Sequence, residues 1–481
     1  NWDFITPEKW YFEGCNAPAA HNYKDSVLYV CGNPSGAMSI LYTDNPKRGD
    51  WKAVPSVLHD LQDPALFIDD DERAYMYWGA SNRWPIRGKE LDMKNKFLPI
   101  AKKPDSLLFL RPDIHGWERF GENHTSDIKP FIEGAWMTKH NGKYYLQYAA
   151  PGTQFNVYGD GVYVGKSPLG PFEYAAHNPF CYKPGGFATG AGHGSTVCGP
   201  GGIYWHFGTI HLSINYKFER RLCMFPTFFD EDGAMYSDTY FGDYPHYSPD
   251  QVSRQTTSGG FRGWMLLSYG KPVKASSQLE SYPVENVTDE NLKTFWVAEK
   301  NDDKQWVEID LEEVSDVYAL QLNFFDYEET GFWGRMPNLR QRYLVEASVD
   351  GARWRVLVDY RNSFRDAPHN YIELDQPIEA RYIRYRHHYV PGKNLAMGDI
   401  RVFGLGRGKK PATVKGFTVV READERNARI SWKAVKGAQG YNVLWGVALD
   451  KLYSSWMVYG DNSLDLRALT VGQKYYFAIE A

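Results

Sequence analysis

The sequence predicts an all-β protein that opens with a β-propeller, and three observations predict it. Stretches in which β-branched and aromatic residues flank a polar turn recur four times in the first half of the chain. Aromatic residues make up 16% of the 481, with 16 Trp, 34 Tyr and 26 Phe, a usage suited to pleated, half-buried surfaces. Near Ser268 the repeat breaks and a new pattern begins.

The clearest copy runs from Phe131 to Tyr148, where Asn141-Gly142 suits the left-handed positions of a tight type I′ turn between two strands. Asp63 to Tyr77, His193 to Phe207 and Ala17 to Val30 have the same strand, turn and aromatic strand. Twelve residues after each of Ala17, Asp63, Glu133 and His193 stands an aromatic: Tyr29, Tyr75, Tyr145 and Trp205. The copies lie 46, 70 and 60 residues apart, which suits four-stranded sheets and is too long for an array of hairpins. A repeated all-β unit of that length implies a propeller, whose innermost strands line a channel and deliver their first residues to one mouth.

Three of the four opening residues, Asp63, Glu133 and His193, are titratable, and titratable groups distant in sequence that meet at one mouth make a candidate active site. Gly134 and Ala135 leave room beside Glu133, and a carboxyl held against aromatic surface stays protonated nearer neutrality, as a general acid must. A single Glu at a strand end is otherwise a solvated residue.

The blades read as 16–60, 61–123, 124–180 and one beginning at Gly190. Arg87 to Leu91 is a later strand of the 61–123 blade, and 102–116 is a polar loop. Asp69-Asp70-Asp71 reads as a solvated turn rather than a calcium-ligand set. Arg221 reads as a group that reaches a substrate hydroxyl or, more simply, pairs with a surface acid.

The net charge of −5 gives no basic footprint for nucleic acid or a membrane surface. No run approaches the roughly 18 apolar residues of a membrane span. The five cysteines (Cys15, Cys31, Cys181, Cys198, Cys223) are odd in number and lack paired metal spacing, so free thiols are expected. No signal peptide is visible.

At five places the propeller region resembles a known family. Asn16-Ala17-Pro18, Asp63-Pro64 with Phe67 to Asp71, Tyr77-Trp78-Gly79 with Arg87 to Leu91, Glu133-Gly134, and Gly192-His193-Gly194-Ser195 follow one another as in glycoside hydrolase family 43. The resemblance covers residues 1–265. It implies a five-bladed propeller whose first blade is N-terminally incomplete. It also implies an inverting glycosidase releasing arabinosyl, xylosyl or galactosyl residues from plant-type polysaccharide, secreted, periplasmic or at the cell surface. By the same resemblance Glu133 is the general acid, Asp63 the carboxylate that orients it, and His193 a group near the channel centre. No cofactor is required, and family members hold calcium or another ion through water near that channel. The family's base is an Asp in an Asp-Pro motif on the first inner strand. Nothing before Ala17 matches it, and Asp3 is the nearby Asp. The expectation is a chain that begins inside a blade, lacks the base and turns over little, and the alternative function is a non-catalytic carbohydrate-binding propeller.

Asn286 to Asn291, Thr294-Phe295-Trp296, Gln305 to Leu311 and Val345 to Gly351 resemble the discoidin, or carbohydrate-binding family 32, sandwich. This resemblance spans 268–407, and Phe332 and Trp333 beside Arg335 make a candidate sugar platform. After a linker from Gly404 to Pro411, residues 411–481 resemble a fibronectin type III sandwich without its last strand, on Ala428 to Trp432, Gly440 to Trp445 and Tyr475 to Ile479.

Overall fold

The computed structural model describes the chain apart from residues 1–14, 25, 35–36, 39, 56–57, 60, 212–219, 253–259, 326 and 329–339. Among the described residues the fold is all-β, with short 3-10 turns and no α-helix. The sheet expected before Ala17 and the candidate residues Asp3, Phe332, Trp333 and Arg335 lie outside the described residues.

Four antiparallel meanders run through the first half. Cys15–Tyr23, Val27–Pro34, Leu41–Thr43 and Lys52–Ala53 form the first sheet. Ala65–Ile68, Ala74–Trp78, Ile86–Asp92 and Leu98–Pro99 form the second. The third contains Glu133–His140, Lys143–Ala150, Gly159–Gly165 and Phe172–Tyr174. The fourth contains Thr189–Cys198, Tyr204–His211, Arg220–Phe229 and Met235–Ser237. The first strands of consecutive sheets pack against one another, which is the inner ring of a propeller.

Two expectations for this half are corrected. Within the stretch expected to be a polar loop, Asp105–Leu108 is a strand that pairs with Ile86 to Gly88. Asp69 is not solvated: it is 6% exposed, ion-paired to Lys139 Nζ at 2.5 Å, and accepts the Tyr144 hydroxyl at 2.5 Å. The turn therefore ties the second sheet to the third. Cys31, Cys181 and Cys223 are buried; Cys181 and Cys223 are free thiols, as is the exposed Cys198.

Beyond the propeller, Trp306–Phe324 and His369–Tyr389 are long paired strands. The first of them opens with strict alternation that buries Val307, Ile309 and Leu311. Met265–Leu266 pairs with Phe403 and Gly404, so this sheet starts slightly ahead of residue 268. It is locked to the propeller by Arg401, which is 1% exposed and holds Glu290 through two bonds while donating to the Asp243 carbonyl at 2.7 Å.

Residues 418–480 form two three-stranded sheets: Thr418–Arg421, Ala428–Ser431 and Ser463–Leu466 in one, and Gly440–Gly446, Ser454–Tyr459 and Tyr476–Glu480 in the other. They share one core with the propeller, where Ile430, Trp445, Leu466 and Leu469 pack in the same cluster as Trp117 and Tyr148. Gly116 N–H donates to the Leu469 carbonyl at 2.9 Å, and Arg119 ion-pairs with Asp424.

Candidate active site

The strand pairings align the inner strands residue by residue. His21 faces Tyr29, Phe67 faces Tyr75, Thr138 faces Tyr145 and Val197 faces Trp205. Counting back four residues from each inner-strand partner gives Ala17, Asp63, Gly134 and His193, and all four adopt left-handed backbone, with φ of 44°, 50°, 63° and 53°. Register shifts open three of these strands, between Asn16 and Ala19, Glu133 and Trp136, and Gly192 and Ser195. Such a bulge re-aims a side chain at the rim of a sheet. The equivalence also corrects the spacing read from the sequence. The hairpin at Asn141-Gly142 is one residue shorter than the others, so Glu133 stands one position ahead of Asp63 and His193 rather than level with them.

Asp63, Glu133 and His193 nevertheless converge, each offering a ligand-type atom within 4.8 Å of the others. His193 Nδ1 lies 4.0 Å from Asp63 Oδ2. Gly134 makes this approach feasible, because a Cβ there would lie 2.9 Å from His193 Cα and 3.0 Å from its ring. The motif Gly192-His193-Gly194 has a related cause: a Cβ at 192 would strike the Tyr158 ring, and one at 194 the His206 ring.

Behind these three residues stands a layer that sequence reasoning missed. The Tyr158 hydroxyl, 1% exposed, donates to Glu133 Oε1 at 2.5 Å. Burial, with the Glu133 charge second, pushes the Tyr158 phenol well above its ordinary value of 10, so it remains a donor throughout the physiological range. Asp160 is fully buried and accepts the backbone N–H groups of His193 at 2.9 Å and Gly194 at 2.8 Å. It also pairs with His206 Nε2 at 3.0 Å, and His206 Nδ1 lies 2.9 Å from Thr196 Oγ1. His193 is thus held through its backbone, leaving its ring at the mouth. The hint in the sequence was a lone Asp in the otherwise uncharged strand Gly159–Gly165.

Arg221 does not appear in that cluster. It donates to the Arg220 carbonyl and lines a cavity of about 560 Å³ with Arg401, Asp243 and Gln321, where the propeller meets the second sheet system.

Calcium is a hard cation held through oxygen atoms. That ion takes about six to eight oxygen ligands, whereas these side chains offer two carboxylates and an imidazole nitrogen. They do not fit a calcium ion held directly. No helix among the described residues is long and apolar enough to cross a membrane.

Comparison with known proteins places both regions. Residues 4–235 match glycosyl hydrolases family 43, and residues 272–397 match the F5/8 type C domain. The chain is 33% identical over 133 residues to a beta-xylosidase of Xylanibacter ruminicola, covering 23% of this chain and 39% of that protein. It is 30% identical over 189 residues to an arabinoxylan arabinofuranohydrolase of Bacillus subtilis (strain 168), covering 34% of each. It therefore spans well under half the length of these curated relatives. A solved glycoside hydrolase aligns over 80% of this chain and 83% of its own, with 19% identity and a TM-score of 0.42. The chain carries a glycosyl hydrolase family 43 domain followed by an F5/8 type C domain.

Proposed function

We propose that the protein hydrolyses glycosidic bonds of plant-type polysaccharide, releasing arabinosyl, xylosyl or galactosyl residues with inversion, with Glu133 as general acid. The observation that carries this reading is the meeting of Asp63, Glu133 and His193 at one rim. Tyr158 donates to Glu133 Oε1, which leaves Oε2 to carry the proton passed to the leaving oxygen.

Asp63 orients the acid. Its carboxylate lies within 4.8 Å of that of Glu133, closer than the ~6.5–9.5 Å that admits a water between acid and base in an inverting pair. The base is therefore a different carboxylate. Asp63 and Tyr158 approach Glu133 while His193, fixed by Asp160, closes the rim beside Asp63.

Domains of 1–265, 268–407 and 411–481 fit this reading, the last as a fibronectin type III-like unit supported by its two three-stranded sheets. A location outside the cytoplasm follows from a substrate too large to cross a membrane. The short Asp63–Glu133 separation also favours a second reading, a propeller that binds carbohydrate without turning it over. Product release from nitrophenyl arabinofuranoside, xyloside and galactofuranoside separates the two. Turnover lost in Glu133→Gln supports hydrolysis, and saccharide binding without turnover supports the second reading.

A further inference from the structure

The rim beside the carboxylates presents large apolar side chains to water. Trp84 is 64% exposed and Phe109 55%, and both line one cleft together with Asn82, Arg83 and Lys129. Single exposed apolar residues are ordinary, but aromatic side chains converging on one cleft mark a binding surface.

The loop bearing Trp84 is tied to both candidate catalytic segments. Gly79 N–H donates to the carbonyl of Gln62, the residue before Asp63, at 2.8 Å. Ser81 exchanges two backbone hydrogen bonds of 3.0 Å with Ile132, the residue before Glu133. Ser81 Oγ accepts the N–H groups of Arg83 and Trp84 at 2.9 and 3.1 Å, and the Arg87 guanidinium lies 5.6 Å from the indole centroid. The indole is thus held at a set offset from the carboxylates.

The cleft measures about 100 Å³, below the ~300–1,000 Å³ of a pocket that encloses its ligand. It is a platform for one face of a ring. A pyranose or furanose has an apolar C–H face that packs on an aromatic ring and a hydroxyl edge that takes hydrogen bonds. Asn82, Arg83 and Lys129 supply donors around the aromatic surface.

We propose that Trp84 and Phe109 form a stacking site for the sugar of the polysaccharide chain adjoining the linkage that Glu133 protonates. This rests on the glycosidase reading above. The site selects a polymer over a free glycoside by holding the leaving chain.

Calorimetric titration of the full chain with xylohexaose and with an arabinoxylan-derived oligosaccharide tests it, alongside Trp84→Ala, Trp84→Phe and Phe109→Ala. Trp84→Ala should raise Kd about tenfold, equal to about 1.4 kcal/mol and the upper part of the range for an aromatic contact. Trp84→Phe should recover most of that loss. In turnover the effect should appear in KM for the oligosaccharide rather than in kcat. Thermal midpoints monitor folding, and Phe109→Ala provides an independent arm. Oligosaccharide Kd unchanged in both alanine variants, while the native protein still cleaves nitrophenyl glycosides, would overturn the stacking site and leave the glycosidase reading standing. A native protein that neither binds these oligosaccharides nor cleaves the glycosides would overturn both.

Discussion

Glu118 offers a quantitative test of how the C-terminal sheets and the propeller share one core. Its carboxyl is 0% exposed, accepting the Tyr148 hydroxyl and the Arg111 N–H, each at 2.5 Å. Burial pushes it up to about 8 from an ordinary 4.5, against the opposing pull of those two hydrogen bonds. Between these values the folded protein holds a proton that the unfolded chain has released. Stability from this group is therefore fully present below pH 4.5 and is lost as the pH rises through 8. At about 1.4 kcal/mol per pH unit, the loss between pH 5 and pH 8 is on the order of 4 kcal/mol. Glu118→Gln keeps the shape and removes the titration, so denaturant unfolding followed from pH 5 to pH 8 should be flatter for the variant by that amount. Parallel pH profiles for native protein and variant would refute the assignment of a protonated, buried Glu118.

Two further predictions concern the layer behind the site. Asp160→Ala strands the buried His206 and frees the backbone N–H groups of His193 and Gly194, which should cost about 3–5 kcal/mol in chemical denaturation. Gly134→Ala puts a Cβ 2.9 Å from His193 Cα at a φ of +63°, and displacing His193 should lower kcat/KM on nitrophenyl glycosides by roughly 10²-fold, with native-like kinetics contradicting the assigned packing.

Asp63, Glu133 and His193 were legible because a repeated hairpin states the position of its own first residue, and equivalent positions in a propeller share a rim. The one-residue offset at Glu133 was not, since it depends on the two-residue turn at Asn141-Gly142 being shorter than the turns of the other copies. Tyr158 stands just before a third strand, Asp160 on it and His206 on a second strand, where no repeat marks them, and Asp160 acts on backbone groups that carry no sequence signature. The strand that buries Val307, Ile309 and Leu311 was marked by the resemblance of Gln305 to Leu311 to the discoidin sandwich. The packing of Ile430 and Leu469 with Trp117 could not be read, because an apolar residue does not say which neighbour it faces. Asp69 was misread because its partners, Lys139 and Tyr144, belong to a different sheet.

The role of Glu133 is tested most directly by how the cost of removing it depends on the leaving group. Glu133→Gln should slow hydrolysis of an oligosaccharide, whose alkoxide must be protonated as it departs, by about 10²–10⁴-fold. A dinitrophenyl glycoside departs as a stable anion without a proton, so its rate should fall far less. Equal losses on the two substrates, or no loss on the oligosaccharide, would contradict Glu133 as the acid.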